Sequence, residues 1–198
     1  MRYPHHASKI IKLKQKDLAF RDQLIASGKL HDGYNQEMES IHIENAETLD
    51  AIIDQIGYPT IEKVGKEASE AAWLVIQHAI SRPAFMRKCA QLLEVEVSNN
   101  NADPIPHAYL QDRIAVLEGE NQLYGTQFDW DENGQMSPNT YDDIDKVNQR
   151  RQALGLNTLE EQTELIRARI KKENQKPPKD YKLRQKEMEE WRKRNKIQ

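Results

Sequence analysis

The segment AAWLVIQHAI, residues 71–80, constrains the fold more than any other part of the sequence. Just before and within it, small residues recur every three or four positions, at Gly65, Ala68, Ser69 and Ala72. A helix that is apolar on nearly all sides is buried, and a face of small side chains lets a neighbouring helix approach closely. The sequence therefore predicts a central helix over 62–80 with other helices packed around it.

Most of the remaining chain shows the same helical spacing of apolar residues. The first helix is predicted over 8–30 and is broken by the glycines of SGKLHDGY, residues 27–34. The other predicted helices cover 35–56, 83–97, 107–118, 141–154, 158–172 and 181–196. An Asn-Gly step in DENG, between TQFDW and QMS, predicts a β-hairpin. The expected fold class is all-α: a single compact domain of six or seven helices with one small β-hairpin and a C-terminal helical extension.

Charge is distributed unevenly along the chain. The whole sequence carries a net charge of −3, but residues 167–198 carry 13 Lys and Arg against 5 Asp and Glu, so the rest is strongly acidic. We therefore predict an acidic all-α domain over 1–166 and a basic helical tail over 167–198, with NQKPPKD as a Pro-containing linker. The tail either lies as a solvated helix on the acidic body or contacts a partner.

Several classes of protein are disfavoured by the sequence. Cys89 is the single cysteine, so neither an internal disulfide nor a cysteine-based metal site is expected. No secretory signal and no apolar run of membrane-spanning length is visible, which favours a cytoplasmic protein without a membrane partner. The net charge gives no strong nucleic-acid signal. The common nucleotide-binding, zinc-protease and hydrolase motifs are missing, and His5 and His6 are weak metal candidates, so we predict no metal and no cofactor.

Polar residues on predicted buried faces are the candidate site residues of the first half. Met38, His42, Asn45 and Leu49 follow i, i+4, i+7, i+11 spacing and share one face. A buried polar group there needs a hydrogen-bond partner or a ligand. Gln77 and His78 end the central helix, and His78 suits a general acid or base. The alternatives are satisfied core residues or, for His78, a cap on the last carbonyls of the helix.

A second group follows in YLQDRIAVLEGENQLYGTQ. Asp112 and Arg113 point in different directions on a helix, and Arg113 suits an anion clamp or a salt bridge. The segment around Gly125 offers the neutral polar groups of Gln122, Tyr124, Thr126 and Gln127, and Arg150 follows one helix later. These residues predict one wall of a ligand site; the alternative is a hydrogen-bonded hairpin that caps the bundle.

Three stretches together resemble an uncharacterised bacterial family, a domain of unknown function. They are GYPTIEKVGKEASEAAWLVIQHA, YLQDRIAVLEGENQLYGTQ and DIDKVNQRRQALGL, and the resemblance covers roughly 37–156. Members typically carry a GWP-like turn, where this chain has Tyr58, and the tail lies outside the resemblance. The resemblance implies that His78, Asp112, Arg113, Tyr124, Thr126 and Gln127 belong to one constellation.

Two functions fit these observations. The first is a hydrolase or transferase for a small polar or phosphorylated substrate, with His78, Tyr124 and Asp112 as catalytic residues. His42, Asn45, Gln77, Arg113, Gln122, Thr126, Gln127 and Arg150 would bind the ligand. The second is a non-catalytic binding or interaction protein whose basic tail contacts a partner. The sequence does not identify the substrate or the oligomeric state.

Overall fold

A computed structural model describes residues 1–27 and 35–195. Within these residues the chain forms nine helices and one two-stranded antiparallel sheet, which confirms the all-α class with a small hairpin. The chain divides into two compact units, one ending at Asp103 and the other beginning at Pro104. The helices are α1 Pro4–Ala26, α2 Gln36–Ile56, α3 Ile61–Val64, α4 Lys66–His78, α5 Pro83–Ser98, α6 Pro104–Glu118, α7 Ile144–Ala153, α8 Leu159–Lys172 and α9 Tyr181–Asn195. The strands are β1 Phe128–Trp130 and β2 Met136–Pro138.

The first unit is built around α4. This helix packs against α1, α2, α3 and α5, and its small residues Ala68, Ala71 and Ala72 are almost completely buried. Small side chains let the neighbouring helix axes come close, as the spacing of these residues predicted. The close approach brings polar side chains of α1, α2 and α4 within contact distance.

The predicted helix over 62–80 is wrong in one respect, because Gly65 divides it into α3 and α4. The φ angle of Gly65 is +82°, a backbone conformation that favours glycine. The carbonyl of Lys63, in the last turn of α3, accepts hydrogen bonds from the backbone N–H groups of Arg2 and Tyr3 at 2.8 and 2.9 Å. The break thus gives the start of the chain a backbone partner.

The ends of α2 agree with the sequence signals. The side chain of Asn35 accepts hydrogen bonds from the N–H groups of Glu37 and Met38, both at 3.0 Å, and so caps the first turn. Gly57 closes the helix with a φ of +71°. The break predicted over 27–34 lies outside the described residues except for Ser27, as does the predicted end of the first helix.

The second unit contains the hairpin and the last four helices. Its strands pair in the register Phe128 to Pro138, Asp129 to Ser137 and Trp130 to Met136, around the predicted turn. Helix α9 contacts the hairpin through Arg184, whose guanidinium lies 2.8 Å from the carboxylate of Asp129 in β1. The predicted charge boundary at 166/167 falls within α8. That residues 167–198 form an independent extension stays a prediction.

Gly125 lies where its backbone passes close to Leu159 of α8. Its φ angle is +63°, and an added Cβ would lie 2.7 and 2.9 Å from the two terminal carbons of Leu159. Leu159 is 2% exposed, so it has little room to move. Gly155 has a similar φ of +69°, but a Cβ added there would have no described atom within 4 Å.

These two glycines make a matched pair for a stability test. Gly155→Ala should lower the free energy of unfolding by about 1–2 kcal/mol, because an L-residue is strained at this φ. Gly125→Ala should lower it by a further ~1–3 kcal/mol, because the methyl group overpacks Leu159. Urea unfolding of both variants measures the difference. Equal losses would show that the contact with Leu159 does not restrict position 125.

Candidate functional site

The carboxylate of Asp17 is fully buried in the first unit. Asp17 is 0% exposed and lies on the face of α1 that also buries Ile10 and Leu24. These three residues are seven positions apart, which is close to two helical turns, so they share one side of the helix. An ionised side chain rarely occupies such a position without compensating contacts.

Two histidines from neighbouring helices supply those contacts. Nδ1 of His78, the last residue of α4, lies 2.8 Å from Oδ2 of Asp17. Nε2 of His42, in α2, lies 3.3 Å from the same oxygen. The two imidazole rings are 5.0 Å apart between centroids and tilted by 44°. We call Asp17, His42 and His78 the Asp–His–His cluster.

The three residues of the Asp–His–His cluster differ in their exposure to solvent. The side chains of Asp17 and His42 are 1% and 8% exposed, whereas that of His78 is 31% exposed. A molecule arriving from solvent would therefore meet the His78 ring first. The predicted alternative, in which His78 caps the carbonyls of its own helix, differs from this geometry, since its Nδ1 faces Asp17 of α1.

The environment keeps Asp17 ionised. Burial acts to raise the pKa of Asp17. The hydrogen bonds and the electrostatic attraction from His42 and His78 outweigh this effect and hold the pKa of Asp17 well below its usual range. Oδ1 of Asp17 is buried and has no hydrogen-bond partner among the described residues. The cluster thus contains a carboxylate with unused acceptor capacity.

The predicted polar face of α2 lies beside this cluster. Met38, His42, Asn45 and Leu49 are all buried, as their spacing predicted. The Nδ2 group of Asn45 donates to the carbonyl of Leu13 at 3.1 Å, one turn of α1 before Asp17. Its Oδ1 is buried and lacks a hydrogen-bond partner within the described ranges. Gln77 of α4 is also buried, at 5% exposure.

The nature and spacing of the cluster atoms suit a metal ion. Asp17, His42 and His78 each offer one ligand atom, and these three atoms all lie within 4.8 Å of one another. Imidazole nitrogen and carboxylate oxygen are ligands of divalent first-row metals. The same arrangement can also hold protons between a carboxylate and two imidazoles.

In the second unit, Asp112 binds the backbone of the YGTQ segment. Its Oδ1 accepts from the N–H groups of Leu123 and Tyr124 at 2.8 and 3.1 Å, and its Oδ2 accepts from that of Thr126 at 2.8 Å. Burial raises the pKa of Asp112, against the lowering effect of these three N–H groups. The carboxylate is a brace that fixes the path of residues 123–126.

In the same segment, the side chain of Gln122 binds the backbone of Gln127. The fully buried Gln122 donates to the carbonyls of Gln127 and Asn139 at 3.1 and 2.9 Å and accepts from the N–H of Gln127 at 2.7 Å. The side-chain amide of Gln127 donates to Thr126 Oγ1 at 3.1 Å. These contacts form the hydrogen-bonded hairpin that the sequence left open as an alternative.

The arginines of this unit differ in their partners. Arg150 forms two hydrogen bonds of 3.0 Å with the carboxylate of Asp142, and a third contact of 3.1 Å with the carbonyl of Leu123. Arg151, which is 2% exposed, donates to the carbonyl of Tyr124 at 2.8 Å. Arg113 is half-buried, and burial lowers the pKa of its guanidinium.

The structure thus brings the predicted residues into two groups. His42, Asn45, Gln77 and His78 lie in the first unit, and Asp112, Arg113, Gln122, Tyr124, Thr126, Gln127 and Arg150 lie in the second. The ligand-binding and catalytic roles given to the second group stay predictions. Asp17 and Arg151 were not among the predicted site residues. The spacing of Asp17 from Ile10 and Leu24 does signal burial. No pattern in the sequence distinguished Arg151 from Arg150.

Fold and site together define an all-α protein with a buried Asp–His–His cluster. The chain belongs to a family of unknown function, DUF6624, whose model matches residues 4–171. This confirms the resemblance to a family of unknown function. No curated protein and no solved structure matches the chain. None of the helices described over 1–27 and 35–195 has the length and apolar character needed to cross a membrane.

The brace at Asp112 can be tested with an isosteric substitution. In Asp112→Asn the amide nitrogen cannot accept a hydrogen bond, so at least one of the three N–H groups loses its acceptor. We expect a loss of about 1–3 kcal/mol in the free energy of unfolding, measured with urea.

Asp131→Asn is the matched control. Asp131 accepts from Asn133, Gln135 and Ser137 at the partly exposed hairpin turn, where water can replace a lost acceptor. The control should lose clearly less stability than Asp112→Asn. Equal losses would mean that burial of the acceptor does not determine the effect.

Proposed function

We propose that this protein is a hydrolase or transferase that acts on a small polar or phosphorylated substrate at the Asp–His–His cluster. The observation that carries the proposal is a fully buried carboxylate shared by two imidazoles, one of which is partly exposed. The cluster would activate a water molecule or a substrate hydroxyl as the nucleophile, with His78 at its solvent-facing edge. We further propose the cytoplasmic location that the sequence predicted.

The first support is energetic. Taking a carboxylate out of water costs several kcal/mol, and even a well-formed buried ion pair is often no more stabilising than apolar residues of the same volume. Stabilisation of the fold is therefore a poor explanation for Asp17, because α1 could bury an apolar side chain at the same position. Buried titratable groups that contact one another are typical of functional sites.

The second support is access. A site must contact its substrate, and a wholly buried cluster would not. His78 ends α4, and its side chain is 31% exposed while its Nδ1 lies 2.8 Å from the buried carboxylate. This one residue connects solvent to Asp17. A buried carboxylate that orients a histidine at the mouth of a site is a recurring arrangement in acyl- and phosphoryl-transfer enzymes.

The substrate class is suggested by a cation about one helical turn from Asp17. Arg21 lies four residues after Asp17 in α1, so the two share one side of the helix. Its side chain is exposed. An arginine at this position could hold a carboxylate or phosphate in front of His78. Within the second unit Arg150, the cation predicted from the sequence, is already bound to Asp142.

The proposal predicts that His78 is needed for turnover and not for folding. Purified protein should release p-nitrophenolate from at least one of p-nitrophenyl phosphate, bis(p-nitrophenyl) phosphate and p-nitrophenyl acetate. His78→Gln should lower this rate by about 10²–10⁴-fold, because glutamine cannot transfer a proton near neutral pH. The melting temperature should stay close to that of the unchanged protein.

His107→Gln is the matched control, since His107 is also half-buried but lies in α6 of the second unit. It should keep full activity. An active His78→Gln variant, or absence of turnover on all three probes, would contradict the proposal. The alternative, an interaction protein whose basic tail contacts a partner, predicts that absence of turnover.

The role of Arg21 predicts a different kinetic change. Arg21→Gln should raise KM for the anionic probes and leave turnover of p-nitrophenyl acetate unchanged, because the uncharged ester needs no anion contact. Lys9→Gln, an exposed cation elsewhere on α1, serves as the control. If both variants change KM equally, general surface charge rather than a specific contact attracts the substrate.

A further inference from the structure

We propose that Asp17, His42 and His78 bind one divalent transition-metal ion of the Zn²⁺ class. The inference rests on the proposed function, because the metal ion would be the group that activates the nucleophile at the same cluster. Binding itself can be measured without any substrate, so the two proposals can fail separately.

The chemistry of the donor atoms favours this class of metal. Two imidazole nitrogens and one carboxylate oxygen form a ligand set used by Zn²⁺ and other first-row divalent ions. Mg²⁺ and Ca²⁺ prefer oxygen ligands and are therefore disfavoured here. The three residues come from three separate helices, α1, α2 and α4, so the fold rather than a local loop sets their positions.

The distances agree with a shared ion. Ligand atoms about 2.1 Å from a tetrahedral zinc ion lie about 3.4 Å from each other. Nε2 of His42 and Oδ2 of Asp17 are 3.3 Å apart, and Nδ1 of His78 is 2.8 Å from that oxygen. All three ligand atoms lie within 4.8 Å of one another.

An independent observation is the second oxygen of Asp17. Oδ1 is buried and has no hydrogen-bond partner among the described residues. A buried carboxylate oxygen without a donor is costly, and a cation placed at the carboxylate compensates for that cost. Oδ1 of Asn45, also buried and without a described partner, adds an acceptor beside His42 on α2. Such an acceptor suits a water molecule bound to a metal.

Three protein ligands leave at least one coordination position open, which distinguishes catalytic from structural zinc sites. Access would be from the side of His78, the most exposed ligand. With the metal bound, His78 would be a ligand and not the general base, so the bound water would lose its proton to solvent, and the resulting hydroxide would form a bond to phosphorus or carbonyl carbon. The bond to the leaving oxygen would break, and that oxygen would take up a proton from solvent.

The test is a titration of the chelator-treated protein, residues 1–198, with Zn²⁺ and with Co²⁺. Calorimetry should show one equivalent of Zn²⁺ bound with a Kd below about 1 μM, and Co²⁺ should show the visible absorption of a four- or five-coordinate ion. The melting temperature should rise with the concentration of Zn²⁺, because a ligand that binds the folded state stabilises it. All measurements use the His5→Gln/His6→Gln background, since these adjacent histidines at the start of α1 could bind metal adventitiously.

Loss of one ligand should weaken binding by more than about 100-fold. The variants are Asp17→Asn, His42→Gln and His78→Gln, and His107→Gln is the control that should bind normally. If a ligand variant does not fold, the stoichiometry and the cobalt spectrum of the unchanged cluster still decide the matter. An absent or octahedral cobalt spectrum, or equal binding by the control and the ligand variants, would overturn the inference.

The activity of the chelated protein separates the two proposals. If chelated protein binds no Zn²⁺ yet keeps full turnover that depends on His78, the metal inference is wrong and the proposed function stands as metal-free proton transfer. If Zn²⁺ binds as described but none of the three chromogenic probes is hydrolysed, the metal site stands and the proposed function fails. If removal of the metal abolishes turnover and one equivalent of Zn²⁺ restores it, both proposals are supported.

Discussion

Burial of the Asp17 carboxylate is the constraint on which the arrangement of the first unit depends. A charge without water needs partners at defined distances, and here they come from α2 and α4. The small residues of α4 allow the close approach that makes these contacts possible. An apolar residue at position 17 would leave the relative rotation of the three helices to side-chain packing alone. The carboxylate adds a polar requirement to that packing, because it contacts one imidazole of α2 and one of α4.

The second unit uses a buried carboxylate in a different way. Asp112 contacts backbone N–H groups instead of side chains, so it fixes the path of a segment and does not assemble titratable groups. The buried Gln122 and Arg151 act similarly on neighbouring carbonyls. A carboxylate whose acceptors are occupied by amides has little capacity left for a ligand. Asp17 retains an acceptor without a described partner, which is why the candidate site is placed there.

The sequence predicted those parts that depend on periodicity. The helix positions, the hairpin and the buried polar face of α2 follow from spacing within single elements, and so does the position of His78 at the end of α4. Asp17 was missed because a single polar residue in a charged helix looks like a solvent-facing one until its spacing from Ile10 and Leu24 is considered. The break at Gly65 accompanies backbone contacts of Lys63 with residues 2 and 3, and the role of Asp112 depends on backbone amides. Contacts with backbone amides leave no pattern of residue types in the sequence, whereas the break has one local signal, the glycine at position 65.

The brace formed by Asp112 also couples events along the chain that would otherwise be independent. The amides of Leu123, Tyr124 and Thr126 are all held by one carboxylate, so displacement of that side chain releases the three together. Local opening of this segment would then be cooperative, and the three amide hydrogens would exchange with solvent as one unit rather than in sequence order. A short stretch without regular secondary structure thereby acquires the all-or-none behaviour usually associated with a helix or a sheet.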